Sequence, residues 1–258
     1  MLMCVVNSVA NMCRAGARGF LVRVTIAGLL AGCTAAPVTQ GINDPYEVQN
    51  RKRFEQTIRF DRAVLRPAAN AYGQIAPEPA RIIVGNVASN LALPSSVVND
   101  VLQGNIGDAF INTARFAFNS TIGLLGTLDP ATLLNLHARE TDFGETLHVW
   151  GVGEGIYLVL PAVGPTTERD AVGKVVDIFT NPLGYVLPTP ERFAVPASGV
   201  LAGFGDRYKF RSTIDSVLYE SADAYGQSRL LYLEKRRFEL GGTAQDDYFD
   251  PYDDPYAQ

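Results

Sequence analysis

The sequence predicts an all-α protein, and three observations predict it. Apolar residues recur at helical spacing in successive segments from about residue 50 to residue 239. Several of these segments open on a capping residue or close on Gly or Pro. Only one run, 156–160 (IYLVL), reads as a strand, and a short buried helix fits it equally well. The chain has 258 residues, 47% hydrophobic and 19% charged, with a formal charge of −5. That is enough for one fair-sized domain, and too apolar for a disordered chain. The acidic balance argues against nucleic acid as a partner. Three Cys and two His exclude a disulfide scaffold and a His/Cys zinc site.

Residues 1–32 carry Arg14, Arg18 and Arg23, no acidic residue, and the apolar run VTIAGLLAG (24–32). A basic region followed by a short apolar one is a secretory signal, too short to remain as a membrane-spanning helix of about 20 residues. A start at Met12 leaves a signal of ordinary length. Leu30-Ala31-Gly32-Cys33 matches a bacterial lipobox. Its cysteine becomes the anchor, carrying diacylglycerol on sulfur and an acyl chain on the freed amine, each buried methylene adding about 0.8 kcal/mol. Thr34 follows where an Asp would retain the protein in the inner membrane, which favours the outer membrane. Cys4 and Cys13 fall in the removed signal, so the mature chain has no thiol for a disulfide.

The mature chain divides into a small-residue tether (33–45), one domain (46–240) and an acidic, Pro-punctuated tail (241–258). The tail reads either as a solubilising extension or as a docking peptide. Within the domain, 50–66 aligns Phe54, Ile58 and Leu65 and should stop at Pro67. A second segment, 79–91, closes at Pro94. Residues 95–103 bring Val97, Val98, Val101 and Leu102 together, with Ser95 to cap and Gly104 to terminate. Residues 105–119 repeat the pattern through Ile106, Ala109, Phe110 and Ala114. Thr167 and Asp170 stand in capping-box spacing before a helix expected to bury Val172, Val175, Val176 and Phe179. A long amphipathic helix over 206–239 should bend at Gly226. Two stretches fit a soluble bundle poorly: 120–128 (STIGLLGTL) and 150–164 (WGVGEGIYLVLPAVG). Each either lines a packed interior or touches lipid.

The search for chemistry is mostly negative. There is no Gly-x-Ser-x-Gly elbow, P-loop, His-Glu-x-x-His or Cys-x-x-Cys. Gly151-Val152-Gly153-Glu154-Gly155 mimics part of a dinucleotide loop without the strand–helix frame such a loop needs. His137 and His148, eleven residues apart, read as core or surface imidazoles, and Asp142 with Glu145 as a solvated face rather than an acid–base pair.

A set of ordered segments does carry a resemblance. These are Asn43-Asp44-Pro45-Tyr46-Glu47, Asn50-Arg51, Val64-Leu65-Arg66-Pro67, Pro77-Glu78-Pro79-Ala80-Arg81 and Asn99-Asp100-Val101-Leu102-Gln103-Gly104. They continue with Asn119-Ser120-Thr121-Ile122-Gly123, Asp129-Pro130-Ala131, Asp142-Phe143-Gly144-Glu145-Thr146-Leu147, Tyr157-Leu158-Val159-Leu160-Pro161, Gly164-Pro165 and Arg169-Asp170. Over about 43–185 the chain resembles the MlaA/VacJ lipoproteins. The resemblance implies a mainly helical, ring-like protein lying within the outer membrane around an amphipathic central channel. Such proteins remove phospholipids misplaced in the outer leaflet and pass them to a soluble periplasmic carrier of the MlaC type; enteric members associate with trimeric porins. It implies no catalytic residue, no metal and no cofactor beyond the diacylglycerol and acyl chain on Cys33. Ile122, Gly123, Leu124, Leu125 and Gly126, with Tyr157, Leu158, Val159, Leu160 and Pro161, become channel or lipid-contact candidates, their glycines allowing a movable element.

The pattern is broken in three places. His148 stands where the family usually has Gly, Ile156 where it often has Pro, and Glu55-Gln56-Thr57 where an aromatic-Asn pattern is usual. A structural lipoprotein bridging envelope components, and a lipid hydrolase, are the rival readings; the second would need an activated nucleophile, and the sequence displays none.

Overall fold

The computed structural model describes residues 42–161 and 163–241. The signal over 1–32, Cys33, most of the tether and the acidic tail beyond Gly241 lie outside the described residues. From Asn43 onward the chain forms one unit. Its first helix does not stop at Pro67. It runs as α1 (Glu47–Phe60), a π-helical turn (Asp61–Leu65) and α2 (Arg66–Ile75) without interruption. Proline offers no N–H to the preceding turn, and its ring crowds the carbonyl four residues back. The wider π turn absorbs both defects, so Pro67 begins α2 instead of ending α1.

Pro94 likewise ends nothing. The segments expected over 79–91 and 95–103 are one 26-residue helix, α3 (Glu78–Gln103), with Pro94 and Ser95 inside it. Gly104, at φ +80°, closes α3 as expected, and the N–H of Asn105 reaches back to the Asp100 carbonyl at 2.8 Å. After it come α4 (Ile106–Thr121), α5 (Pro130–Leu133), α6 (Phe143–Val149), β1 (Tyr157–Leu160), β2 (Gly164–Thr167), α7 (Glu168–Thr180) and α8 (Leu183–Val186). Then follow α9 (Ala194–Lys209), α10 (Arg211–Asp215), a second π turn (Ser216–Glu220) and α11 (Ala224–Glu239). The fold is thus predominantly helical, as the sequence predicts. α3 packs along both α4 and α9, which holds its helix together across the missing N–H at Pro94.

Two expectations are replaced by more specific findings. The 156–160 run is a strand: β1 pairs antiparallel with β2, Tyr157 opposite Thr167 and Leu160 opposite Gly164. The long helix expected over 206–239 is interrupted at Phe210 and again at residues 221–223, rather than bent at Gly226. Asp223 caps the new start, its carboxylate accepting the Gly226 N–H at 3.1 Å.

The largest correction concerns which face of each helix is buried. α7 presents Val172, Val175, Ile178 and Phe179 outward, Phe179 being 67% exposed, and buries Arg169, Asp170 and Gly173. α4 exposes Ile106 and Phe110, the latter 74% exposed, and buries Ala109, Asn112, Arg115 and Asn119. α3 leaves Val101 and Leu102 exposed and turns Asn90, Leu93, Ser96, Asn99 and Asp100 inward. The helical period is right, but the polar stripe, not the apolar one, faces the interior. The periodicity argument assumes water outside, where the apolar stripe must be covered; these helices do the reverse.

Inside, α6 and α7 meet at paired glycines. A methyl group added to Gly173 would lie 2.4 Å from the Gly144 nitrogen and 2.7 Å from its Cα. One added to Gly144 would lie 2.7 Å from an Asp170 oxygen. Substituting Gly173→Ala must therefore push the two helices apart. Such overpacking costs about 1–3 kcal/mol, and should lower the thermal midpoint of the detergent-solubilised protein. An unchanged midpoint would show that the helices do not touch here.

Candidate functional site

The inward polar faces of α3 and α4 converge on a cavity of about 670 Å³. α3 contributes Asn86, Ser89, Asn90 and Ser96; α4 contributes Arg115 and Asn119. The segment after α4 brings Asp129, residues 138–142 supply Glu140, Thr141 and Asp142, α6 supplies Glu145, and the end of α11 adds Arg236 and Glu239. Among the described residues, neither histidine nor cysteine lines this cavity.

Each charged wall is fixed by its neighbours. Arg115 grips Asp129 through two contacts of 3.2 and 3.0 Å and donates to the Leu136 carbonyl. Asn119 donates to Asp129 at 3.0 Å while its oxygen accepts the Ala131 N–H at 3.1 Å. Asn112, fully buried, donates to Asp100 and to the Arg139 carbonyl, both at 2.7 Å, and accepts the Arg139 N–H at 3.0 Å. That amide pins residue 139 against α3 and α4 like a strand partner. Thr146 donates to Asn99 at 3.1 Å, and Asn99 donates to Asp177 at 2.9 Å, tying α6, α3 and α7 together. Arg236 bridges Asp142 at 2.7 Å and Asp170 at 3.2 Å, while Tyr232 donates to Asp170 at 2.6 Å. Burial pushes the Glu145 carboxyl above the usual range, partly opposed by a hydrogen bond from Thr141.

The Asp142–Glu145 pair is thereby explained without catalysis. Asp142 caps α6, accepting the Glu145 N–H at 2.8 Å, and is held by Arg236. His137 sits beside Asn135 at 3.0 Å, whereas His148 neighbours Arg169 at 3.4 Å. The Gly151–Gly155 run leads into the β1–β2 hairpin, not into a helix, and is no dinucleotide loop.

The two predicted contact segments are placed differently from one another. Ile122, Leu124 and Leu125 project outward, Leu125 being 76% exposed, while Gly123 and Gly126 are buried beneath them. Leu124, Leu125 and Gly126 all have positive φ (53°, 58° and 86°), a conformation costly for the two leucines. The Leu125 N–H bonded to the Ser120 carbonyl (3.0 Å) and the Gly126 N–H bonded to Asn119 (2.8 Å) hold the turn. In the second segment Tyr157 and Val159 are buried, Leu158 and Leu160 half-buried and Pro161 exposed. Tyr157 packs edge-on against Tyr225, and Asn50 reads the strand, donating to the Tyr157 carbonyl at 3.0 Å and accepting the Val159 N–H at 3.1 Å. The sequence reading missed Asn90, Asn112, Arg115 and Arg236. Their signal is a polar stripe at three- and four-residue spacing on the face opposite the apolar one.

The family described as MlaA lipoprotein matches residues 42–239. The chain belongs to the MlaA lipoprotein family. A relative named the intermembrane phospholipid transport system lipoprotein MlaA, from Escherichia coli, is 32% identical over 89% of this chain and 90% of its own length. An uncharacterized protein of Rickettsia typhi is 34% identical over 71% of this chain and 72% of its own. A solved chain, described in work on maintenance of bacterial outer membrane lipid asymmetry, superposes with a TM-score of 0.66. It is 33% identical and covers 76% of this chain and 98% of its own. The ordered motifs that carried the MlaA resemblance (Asp44, Asn50, Asn99, Asp100, Asn119, Asp129, Asp142, Asp170) supply much of the buried polar lattice described above.

That lattice yields a stability prediction. Asp129→Ala strands the buried Arg115 guanidinium, at a cost of about 3 kcal/mol, the low end for broken buried pairs because Asp129 is partly exposed. Pairing it with Arg115→Met should recover much of that loss in thermal unfolding, and a double variant no better than the single one would refute the pairing.

Proposed function

We propose that this chain is an outer-membrane lipoprotein, anchored through acylated Cys33, that takes misplaced phospholipids from the outer leaflet and passes them to a soluble periplasmic carrier of the MlaC type. In this reading phospholipid moves without bond cleavage, and a trimeric porin is the expected partner in the membrane. The E. coli and Haemophilus influenzae relatives, both named for intermembrane phospholipid transport, support it.

The observation that carries the proposal is the inversion: apolar side chains outside, a polar cavity inside. A phospholipid crossing from one leaflet needs a hydrated route for its headgroup, because an unpaired charge in hydrocarbon costs several kcal/mol. It also needs hydrocarbon beside that route for its tails. The walls of the 670 Å³ cavity supply the first. The outer surface, with Phe110, Leu124, Leu125, Ile178, Phe179, Tyr185 and Val186, suits a bilayer, each large apolar side chain favouring it by about 1.5–3 kcal/mol. The strained 124–126 turn, with Gly126 against the cavity-lining Asn90 and Leu125 on the outer surface, is the movable element of this reading.

Two variants separate seating from passage. Ile178→Asp with Phe179→Asp should weaken association of the protein with phospholipid vesicles at least tenfold, leaving the helical circular-dichroism signal intact. Ser96→Trp, which narrows the cavity, should leave vesicle association unchanged. In a strain lacking the wild-type copy, it should fail to clear outer-leaflet phospholipid or restore detergent resistance. Full restoration by Ser96→Trp would remove the cavity from the route.

A further inference from the structure

A second, smaller cavity of about 430 Å³ lies apart from the first, between the end of α6, the residues leading to β1, the first turn of α7 and the end of α11. Its lining includes His148, Glu154, Arg169 and Arg237. Arg169 is only 4% exposed, yet no short acceptor reaches its guanidinium. Among the described residues its side-chain contacts are Asp170 at 3.4 Å, His148 at 3.4 Å and the Val152 carbonyl at 3.5 Å, and its Nη2 has no hydrogen-bond partner. Asp170, the nearest carboxylate, is already engaged by Tyr232 at 2.6 Å and by Arg236 at 3.2 Å. A buried guanidinium with an unpartnered Nη2 and its other contacts at 3.4 Å or beyond has donors to offer an anion.

We propose that the pocket framed by His148, Arg169 and Arg237 binds a phosphate group, presented either by a phospholipid headgroup or as free phosphate. Two guanidinium forks approaching from different elements match the several oxygens of a phosphate better than the two of a carboxylate, and the cavity is far larger than a carboxylate needs. The lining sets the sign of the ligand. Among the described lining residues, Arg169 and Arg237 face one carboxylate, Glu154, which pairs with Arg237 at 3.3 Å. The larger cavity has the opposite balance, with Asp129, Glu140, Asp142, Glu145 and Glu239 facing Arg115 and Arg236. A lone anion, with no cationic group beside it, is therefore favoured here over the larger cavity, whose mixed charges suit a headgroup carrying both signs. Burial, with Arg169 and Arg236 alongside and Asp170 opposing, holds the His148 imidazole below its usual pKa. The ring thus enters the site neutral, able to donate one hydrogen bond to a phosphate oxygen. This inference stands independently of the transport reading, because it concerns a different cavity and needs no lipid movement.

The test is phosphorus NMR on the full chain purified in a detergent without phosphate, titrated with inorganic phosphate and, separately, with glycerophosphoethanolamine. Saturable line broadening is expected in the wild type. Affinity should fall at least fivefold in Arg237→Gln and at least threefold in His148→Gln. It should rise at least threefold in Glu154→Gln, a gain that a purely structural role for Glu154 would not produce. Stronger binding of glycerophosphoethanolamine assigns the site to a lipid headgroup, and equal binding of both probes assigns it to phosphate itself. No saturable binding of either probe, or equal affinity in the wild type, Arg237→Gln and Glu154→Gln, overturns the proposal.

Discussion

Asn50, Asn112 and Asn119 each use both ends of a side-chain amide to join a helix to a segment far from it in sequence or across a turn, and that bridging is what an inverted protein depends on. Where apolar faces point outward, the interior keeps only a small apolar core (Phe54, Leu93, Tyr157, Val159, Leu233) and cannot cohere by expelling water from hydrocarbon alone. It must cohere by satisfying polar groups against one another, and a half-satisfied set would be worse than an oily core. An amide suits this better than a carboxylate, because it donates and accepts at once and needs no counter-ion. Asn50 therefore completes the β1 edge as a third strand would, and Asn112 does the same for the backbone at residue 139.

Arginine does the remaining work over longer distances. Arg207 reaches Asp61, within the π turn between α1 and α2, at 2.9 Å and Asp215 at 2.6 Å. Arg51 takes Asp223 in a two-pronged grip at 2.8 and 3.1 Å, which draws that carboxyl down to a pKa of about 2. Tyrosine rings complete several of these sites: Arg51 lies 4.5 Å from the centre of Tyr225, and Arg66 5.2 Å from that of Tyr219. The unusual helical turns are part of the same scheme. The π turn at Asp61–Leu65 accommodates Pro67 and also carries Asp61 into a buried position beside Arg207 and Tyr219.

Much of this was legible in the sequence, and the failures share one cause. Thr167 caps α7, Gly104 ends α3, and the 105–119 periodicity marks α4, because those signals are local and operate in any solvent. The stop at Pro67 failed because a π turn took up the proline's defects, and the stop at Pro94 because packing on the flanks, invisible to local rules, kept the helix whole. The burial of Val172, Val175 and Phe179 failed because periodicity gives two faces and says nothing of which solvent each will meet. The cavity was illegible for a different reason. Its walls come from α3, α4, α6 and α11, and the pairing of Arg236 with Asp142, 94 positions apart, has no local signature. The ordered motifs nevertheless held four of the cavity's lining residues, Asn119, Asp129, Asp142 and Glu145.

The pairing of Asp44 with Tyr225 and Arg229 joins positions 181 and 185 apart in the chain. Asn50 and the hairpin, then α11, close on one another through the same cluster. The order of synthesis therefore matters. The segment made first waits with a carboxylate, an amide and a strand edge exposed until nearly the whole domain has emerged, and closure of such distant contacts is slow. Through that interval the outward apolar faces have no bilayer and the inward polar faces have no partners. A protein built this way can complete its fold only after α11 has been made.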